Sequence, residues 1–173
     1  LNLLCGCVAI IFAVSGDLVS ACFFAFAGIF LDFFDGLAAR VLSAQSQVGL
    51  QLDSLADVVT SGVVPAIVMM QLLSRAFTGT NLEITTLFKD GLGNPSWMIY
   101  MPFIGLLIAV ASGYRLAKFN VDIRQTTSFI GLPVPANTLL VLSLPLILSF
   151  QASQQITEFI LSPWFLIILT LLS

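Results

Sequence analysis

Four aspartates, Asp32, Asp35, Asp53 and Asp57, stand close together in a chain of 173 residues of which 58% are hydrophobic and 9% charged. Histidine is absent, so acid/base or metal chemistry here falls to carboxylates. On a helix at 100° per residue, Gly28, Asp32, Asp35, Gly36 and Ala39 fall within an arc of about 100°. Gly49, Asp53 and Asp57 follow one another at four-residue steps and form a second polar stripe. Counted from the intervening turn, all four aspartates lie roughly 12 to 20 Å deep along their helices. Two antiparallel helices therefore bring four carboxylates to one level. Left alone they repel one another, and Arg40 is the only nearby basic residue on either helix. A divalent cation is their natural partner: Mg²⁺ or Mn²⁺ takes oxygen ligands, and two ions can share the four side chains and polarise a phosphate between them. The small residues Gly28, Gly36 and Ala39 let a bulky headgroup approach the backbone. The competing reading is a row of acids lining an ion pathway, or pairing with basic groups on other helices.

The elements that must position these residues are membrane helices. A mean hydropathy of +1.06 lies far outside the range of soluble domains, and the apolar stretches do not alternate as barrel strands do. Apolar segments run over about 1–14, 18–40, 49–74, 97–117, 134–150 and 163–173. The expected fold is an all-α polytopic transmembrane bundle of about six helices forming one domain over 1–173, the first and last segments being truncated. "SGD" (Ser15 to Asp17) and "SAQSQ" (Ser43 to Gln47) read as short turns, and the stretch after segment three, with Gly79, Gly91, Gly93 and Pro95, as an extramembrane loop. Arg40, Arg115, Lys118 and Arg124 on one side, against Arg75 and Lys89 on the other, put the first side in the cytoplasm. Cys5, Cys7 and Cys22 lie within apolar runs and read as packing residues. The net charge of −3 carries no signature of a nucleic-acid partner.

Residues 32 to 57 read Asp32-x2-Asp35-Gly36-x2-Ala39-Arg40-x8-Gly49-x3-Asp53-x3-Asp57. This spacing resembles the signature of the CDP-alcohol phosphatidyltransferases at every defined position. "LDSLADVVTSGVVPA" (Leu52 to Ala66), "YRLAKFNV" (Tyr114 to Val121) and "FIGLPVPAN" (Phe129 to Asn137) resemble the phosphatidylserine synthases within that family, and the likeness spans the chain from "NLLCG" at Asn2. The resemblance implies transfer of a phosphatidyl group from CDP-diacylglycerol to L-serine with release of CMP. It implies Asp32, Asp35, Asp53 and Asp57 as metal ligands, Asp57 also as general base, and Asp32, Gly36, Ala39, Arg40, Gly49 and Asp53 around the CDP moiety. It further implies a homodimer in a prokaryotic cytoplasmic membrane, with the site open to the cytoplasm.

Two stretches invite both a functional and a plain reading. Arg115 and Lys118 either hold a lipid phosphate or the serine carboxylate, or anchor a helix end by snorkelling. Pro133 and Pro135 either shape the acceptor pocket or start a helix in the ordinary way. The phenylalanines of segment two are expected to face lipid or pack, and Trp97 and Trp164 to lie at interfaces. Against the serine enzyme stand the same chemistry with glycerol phosphate, inositol or inositol phosphate as acceptor, a cation channel or transporter, and an idle lipid-binding subunit. The channel reading gives no reason for Gly36, Ala39, Arg40 and Gly49 to keep signature spacing.

Overall fold

The chain begins with α1 (Asn2–Val14), turns back through Gly16, whose φ of 87° is the left-handed conformation glycine supplies, and continues as α2 (Leu18–Val41). The computed structural model describes residues 1–41, 46–83, 97–121, 134–151 and 153–173. Helix α3 (Gln47–Asp57) starts at Ser46, whose hydroxyl accepts from the Gly49 N–H, the usual way of satisfying a free helix N-terminus. A π-helical turn, Val58–Val63, joins α3 without a break to α4 (Val64–Thr78). Two 3₁₀ turns, Trp97–Ile99 and Met101–Leu106, lead into α5 (Leu107–Val121). The remainder is α6 (Val134–Phe150), the short α7 (Gln154–Ile160) and α8 (Pro163–Leu172).

All six apolar segments are helical, and the described residues contain no strand, so the chain is an all-α polytopic membrane protein. Among the described residues, three stretches are long and apolar enough to cross a bilayer: Leu18–Ala38, Gln51–Thr78 and Met101–Lys118. The sixth segment is half of a pair, α7 and α8, bent by 52° and able to serve together as a fourth span. Asn2–Val14 and Val134–Phe150 are apolar but shorter.

The core is built around α4, which is buried from Val64 through Ser74 without interruption. The first 3₁₀ residues of the next span press directly on it. A side chain at Gly105 would put its Cβ 2.8 Å from the Met70 backbone nitrogen, the close backbone approach that small residues permit between membrane helices. Phe23, Phe30, Phe33, Val110 and Trp164 lie on the outside, where hydrocarbon is the expected solvent. Cys22 is buried, its thiol donating to the Leu142 carbonyl at 3.3 Å, and all three cysteines are free thiols. Trp97 has its side chain outside the described part, and Lys89, Arg124 and Pro133 lie outside the described residues.

The end of the bundle that carries the turn at Gly16 is fastened by polar side chains of α4. Gln71 donates to the carbonyls of Val14 and Leu82 and accepts from the Leu82 N–H, and Arg75 donates to the Gly16 carbonyl and to Asn81. The opposite end holds the aspartates.

Candidate metal and phosphoryl-transfer site

Helix α2 runs back from the fastened end and delivers Asp32, then Asp35 one turn later. Helix α3 enters from the other side with Asp53 and ends at Asp57. One carboxylate oxygen from each of Asp32, Asp35 and Asp53 lies within 4.8 Å of the other two. These are hard, anionic oxygens from two helices, the donor set that Mg²⁺ or Mn²⁺ takes, and the group can hold such an ion. Asp35 and Asp53 are exposed and Asp32 half-buried, so the cluster has a wet side. Of the four carboxylates expected at one level, this group brings together three.

Asp57 is tied in differently. The side-chain amide of Asn2 donates to Asp32 Oδ1 at 2.9 Å and to Asp57 Oδ1 at 3.2 Å, while its own Oδ1 accepts from the Thr60 hydroxyl at 2.7 Å. Asn2 is 3% exposed and Thr60 fully buried. Neither was singled out by spacing: Asn2 stands alone at the head of α1, and Thr60 reads as one more small residue of an apolar helix. The space they occupy is prepared by glycine. A Cβ at Gly28 would lie 3.0 Å from Asn2 Oδ1 and 3.1 Å from Thr60 Cγ2, and one at Gly6 would lie 2.6 Å from the Thr60 hydroxyl.

The wide turn that follows Asp57 has a cause in the sequence. Pro65 has no N–H, so the carbonyl of Ser61, four residues earlier, loses its α-helical donor. The chain adopts π geometry there, with the Val64 N–H bonding back to Val59, and the Thr138 hydroxyl of α6 donates to the Ser61 carbonyl at 2.7 Å. Such π turns inside helices are frequent at functional sites. Here the turn carries Thr60, three residues past Asp57, into the bond with Asn2.

Gly36 is half-buried, and a Cβ placed on it would meet nothing within 4 Å, so there is open room beside Asp35. Gly49 is exposed in the first turn of α3, its N–H held by Ser46. Ala39 and Arg40 belong to α2, but their side chains lie outside the described part. Arg115 is half-buried and Lys118 exposed on α5, the helix that packs against the π-helical turn.

The model of the CDP-alcohol phosphatidyltransferase family matches residues 1–172. The chain belongs to the CDP-alcohol phosphatidyltransferase family. Among curated relatives of this chain, a CDP-diacylglycerol–serine O-phosphatidyltransferase of Bacillus subtilis is 38% identical over 138 residues, covering 78% of this chain and 64% of the relative. Proteins of the same name from Helicobacter pylori and Mycobacterium leprae are 31% identical over 138 residues and 32% identical over 172, covering 79% and 95% of this chain. Each of those two alignments takes in 50% of the relative, so the chain spans about half to two thirds of the length of the relatives it matches. No solved structure matches it.

Proposed function

We propose that this chain is a single membrane domain, 1–173, that transfers a phosphatidyl group from CDP-diacylglycerol to the hydroxyl of L-serine, giving phosphatidylserine and CMP. The observation that carries the reading is the convergence of Asp32, Asp35 and Asp53 within 4.8 Å at the positions of the family's aspartate signature. The choice of serine rests on the names of the relatives and on the three stretches around Leu52, Tyr114 and Phe129.

In this reading Asp32, Asp35 and Asp53, with Asp57 beside them, hold one divalent ion or two. When bound, the metal neutralises charge on the pyrophosphate and on the departing CMP. Asp57 takes the proton of the serine hydroxyl as that oxygen attacks the phosphorus bearing the diacylglycerol. The bond from this phosphorus to the CMP oxygen breaks, and the electron pair leaves with CMP. Gly36 and Gly49 leave room for the CDP moiety, with Ala39 and Arg40 on the same helix as Gly36. Arg115 and Lys118 offer positive charge for a lipid phosphate or the serine carboxylate. The site opens to the cytoplasm of a prokaryotic cell, where serine is found, and the enzyme works as a homodimer.

The test is CMP release by the full-length protein in detergent with CDP-diacylglycerol and Mn²⁺ or Mg²⁺, comparing L-serine, glycerol 3-phosphate and inositol. Serine-dependent release that EDTA abolishes is the expected result. Asp57→Asn should lower turnover by roughly 100- to 10,000-fold, the usual contribution of a general base. Release with a different acceptor would overturn the serine assignment. Metal flux through liposomes without CMP release would favour a channel instead.

A further inference from the structure

The tie between α1 and the aspartates has a job that packing alone does not require. We infer that Asn2 is a positioning residue that sets the relative placement of Asp32 and Asp57, and that Thr60 fixes the orientation in which it does so. The inference rests on the phosphatidyltransferase reading for its consequence in turnover, and on geometry alone for its consequence in metal binding.

An ionised carboxylate only accepts hydrogen bonds, so two of them facing one amide must face its NH₂ end. That group has two N–H bonds, one for each carboxylate, and the contacts are 2.9 Å to Asp32 Oδ1 and 3.2 Å to Asp57 Oδ1. The amide could turn over if nothing held its oxygen. Thr60 prevents this, since its hydroxyl donates to Asn2 Oδ1 at 2.7 Å and both residues are sealed from solvent. The bridge therefore has a defined sense, hydroxyl to amide to two carboxylates, and it links α1 to α2, to the end of α3 and to the π-helical turn.

The residue type suits a cation site. A lysine in this place would also bridge two carboxylates, but its charge would compete with a divalent ion. The neutral amide holds one oxygen of each aspartate and leaves both negative charges for the metal. Partners of this kind, one shell out from a metal, orient the ligands, and their loss costs roughly 10- to 100-fold in affinity or activity. The glycines at 6 and 28 fit the same purpose, because side chains there would occupy the volume of the Asn2 and Thr60 pair.

The experiment uses the full-length protein in detergent, with Asn2→Ala, Thr60→Val and Thr60→Ser beside the wild type. Mn²⁺ binding alone is followed by electron paramagnetic resonance, and serine-dependent CMP release gives kcat and KM. Asn2→Ala is expected to weaken Mn²⁺ binding and to lower kcat at saturating metal, each by roughly 10- to 100-fold, with the KM for serine changed less than about twofold. Thr60→Val should do the same to a smaller extent, and Thr60→Ser, which keeps the hydroxyl, should restore wild-type values. If Asn2→Ala or Thr60→Val fails to fold, the serine variant and thermal unfolding of each protein separate that failure from a positioning loss. Unchanged Mn²⁺ binding and kcat in folded Asn2→Ala overturns the inference. Should the wild type release no CMP with any acceptor while Asn2→Ala still weakens Mn²⁺ binding, the functional reading fails and the positioning role stands.

Discussion

Neutralising one aspartate should stabilise the metal-free protein and destabilise the metal-loaded one. Asp35 is the residue to change, since it is exposed and its carboxylate belongs to the cluster of three within 4.8 Å. Two unit charges at that separation repel by about 0.9 kcal/mol in a medium like water and by about 3.5 kcal/mol at an effective dielectric of 20. Two of the three carboxylates face solvent, so the lower figure governs, at about 1 kcal/mol per pair. Asp35 takes part in two pairs, and Asp35→Asn in EDTA should therefore gain about 2 kcal/mol. That corresponds to an unfolding midpoint raised by about 4 to 8 °C for a chain of this size. Saturating Mn²⁺ reverses the order, because a ligand at about 100 times its dissociation constant contributes about 2.7 kcal/mol to the protein that binds it well. The assay is thermal unfolding of wild type and variant, by tryptophan fluorescence in detergent, with EDTA and then with Mn²⁺. Equal midpoints in EDTA, or equal Mn²⁺ stabilisation of both proteins, would refute the electrostatic reasoning.

Three other perturbations have defined outcomes. Gly28→Ala forces a methyl group to within 3.0 to 3.2 Å of Asn2, Thr60 and Cys5 and should cost about 1 to 3 kcal/mol of stability, read from the unfolding midpoint; an unchanged midpoint would show that this contact yields freely. Thr138→Val removes the donor to the Ser61 carbonyl and should cost about 1 to 3 kcal/mol, whereas Thr138→Ser should cost little. The Ser20 hydroxyl and backbone N–H donate to the Asp17 carboxylate at the start of α2 and hold its pKa below the usual value. A depressed pKa contributes stability above the unfolded value, lost as pH falls through the folded one. Asp17→Ala should thus lower the unfolding midpoint at neutral pH, with the difference shrinking as pH falls below the ordinary aspartate pKa of about 3.9 and vanishing only below the lower folded-state pKa.

The carboxylate cluster was legible because its information is periodic. Steps of three and four residues on two antiparallel helices are enough to place Asp32, Asp35 and Asp53 at one depth. Asn2 and Thr60 were not legible for the opposite reason: their bond joins residues 58 positions apart, and nothing in either residue's neighbourhood marks it as polar by design. The π-helical turn falls between these cases. Pro65 stood in the sequence as its signal, but a proline in an apolar run does not say whether the helix will break, kink or widen, and here Thr138 on α6 makes widening affordable. The last apolar segment was read without its bent partner α7, because "QQITEFI" is too polar and too short to register as part of a span. The roles of Ala39 and Arg40 rest on the resemblance to the family signature, their side chains lying outside the described part of α2.

The amide bridge also bears on how the protein is made. Helix α1 leaves the ribosome before α2 with Asp32 and Asp35, and α3 with Asp53, Asp57 and the turn bearing Thr60 follows later. An aspartate at the centre of an inserting helix costs about 2.5 to 3.5 kcal/mol, but the two on α2 lie toward its later end, behind the apolar stretch that begins at Leu18. That stretch can secure α2 in the bilayer while its acids wait near the surface. Asn2 meets Asp57 and Thr60 only when the segment that carries them arrives, so the bridge between Asp32 and Asp57 closes after α2 is already in place.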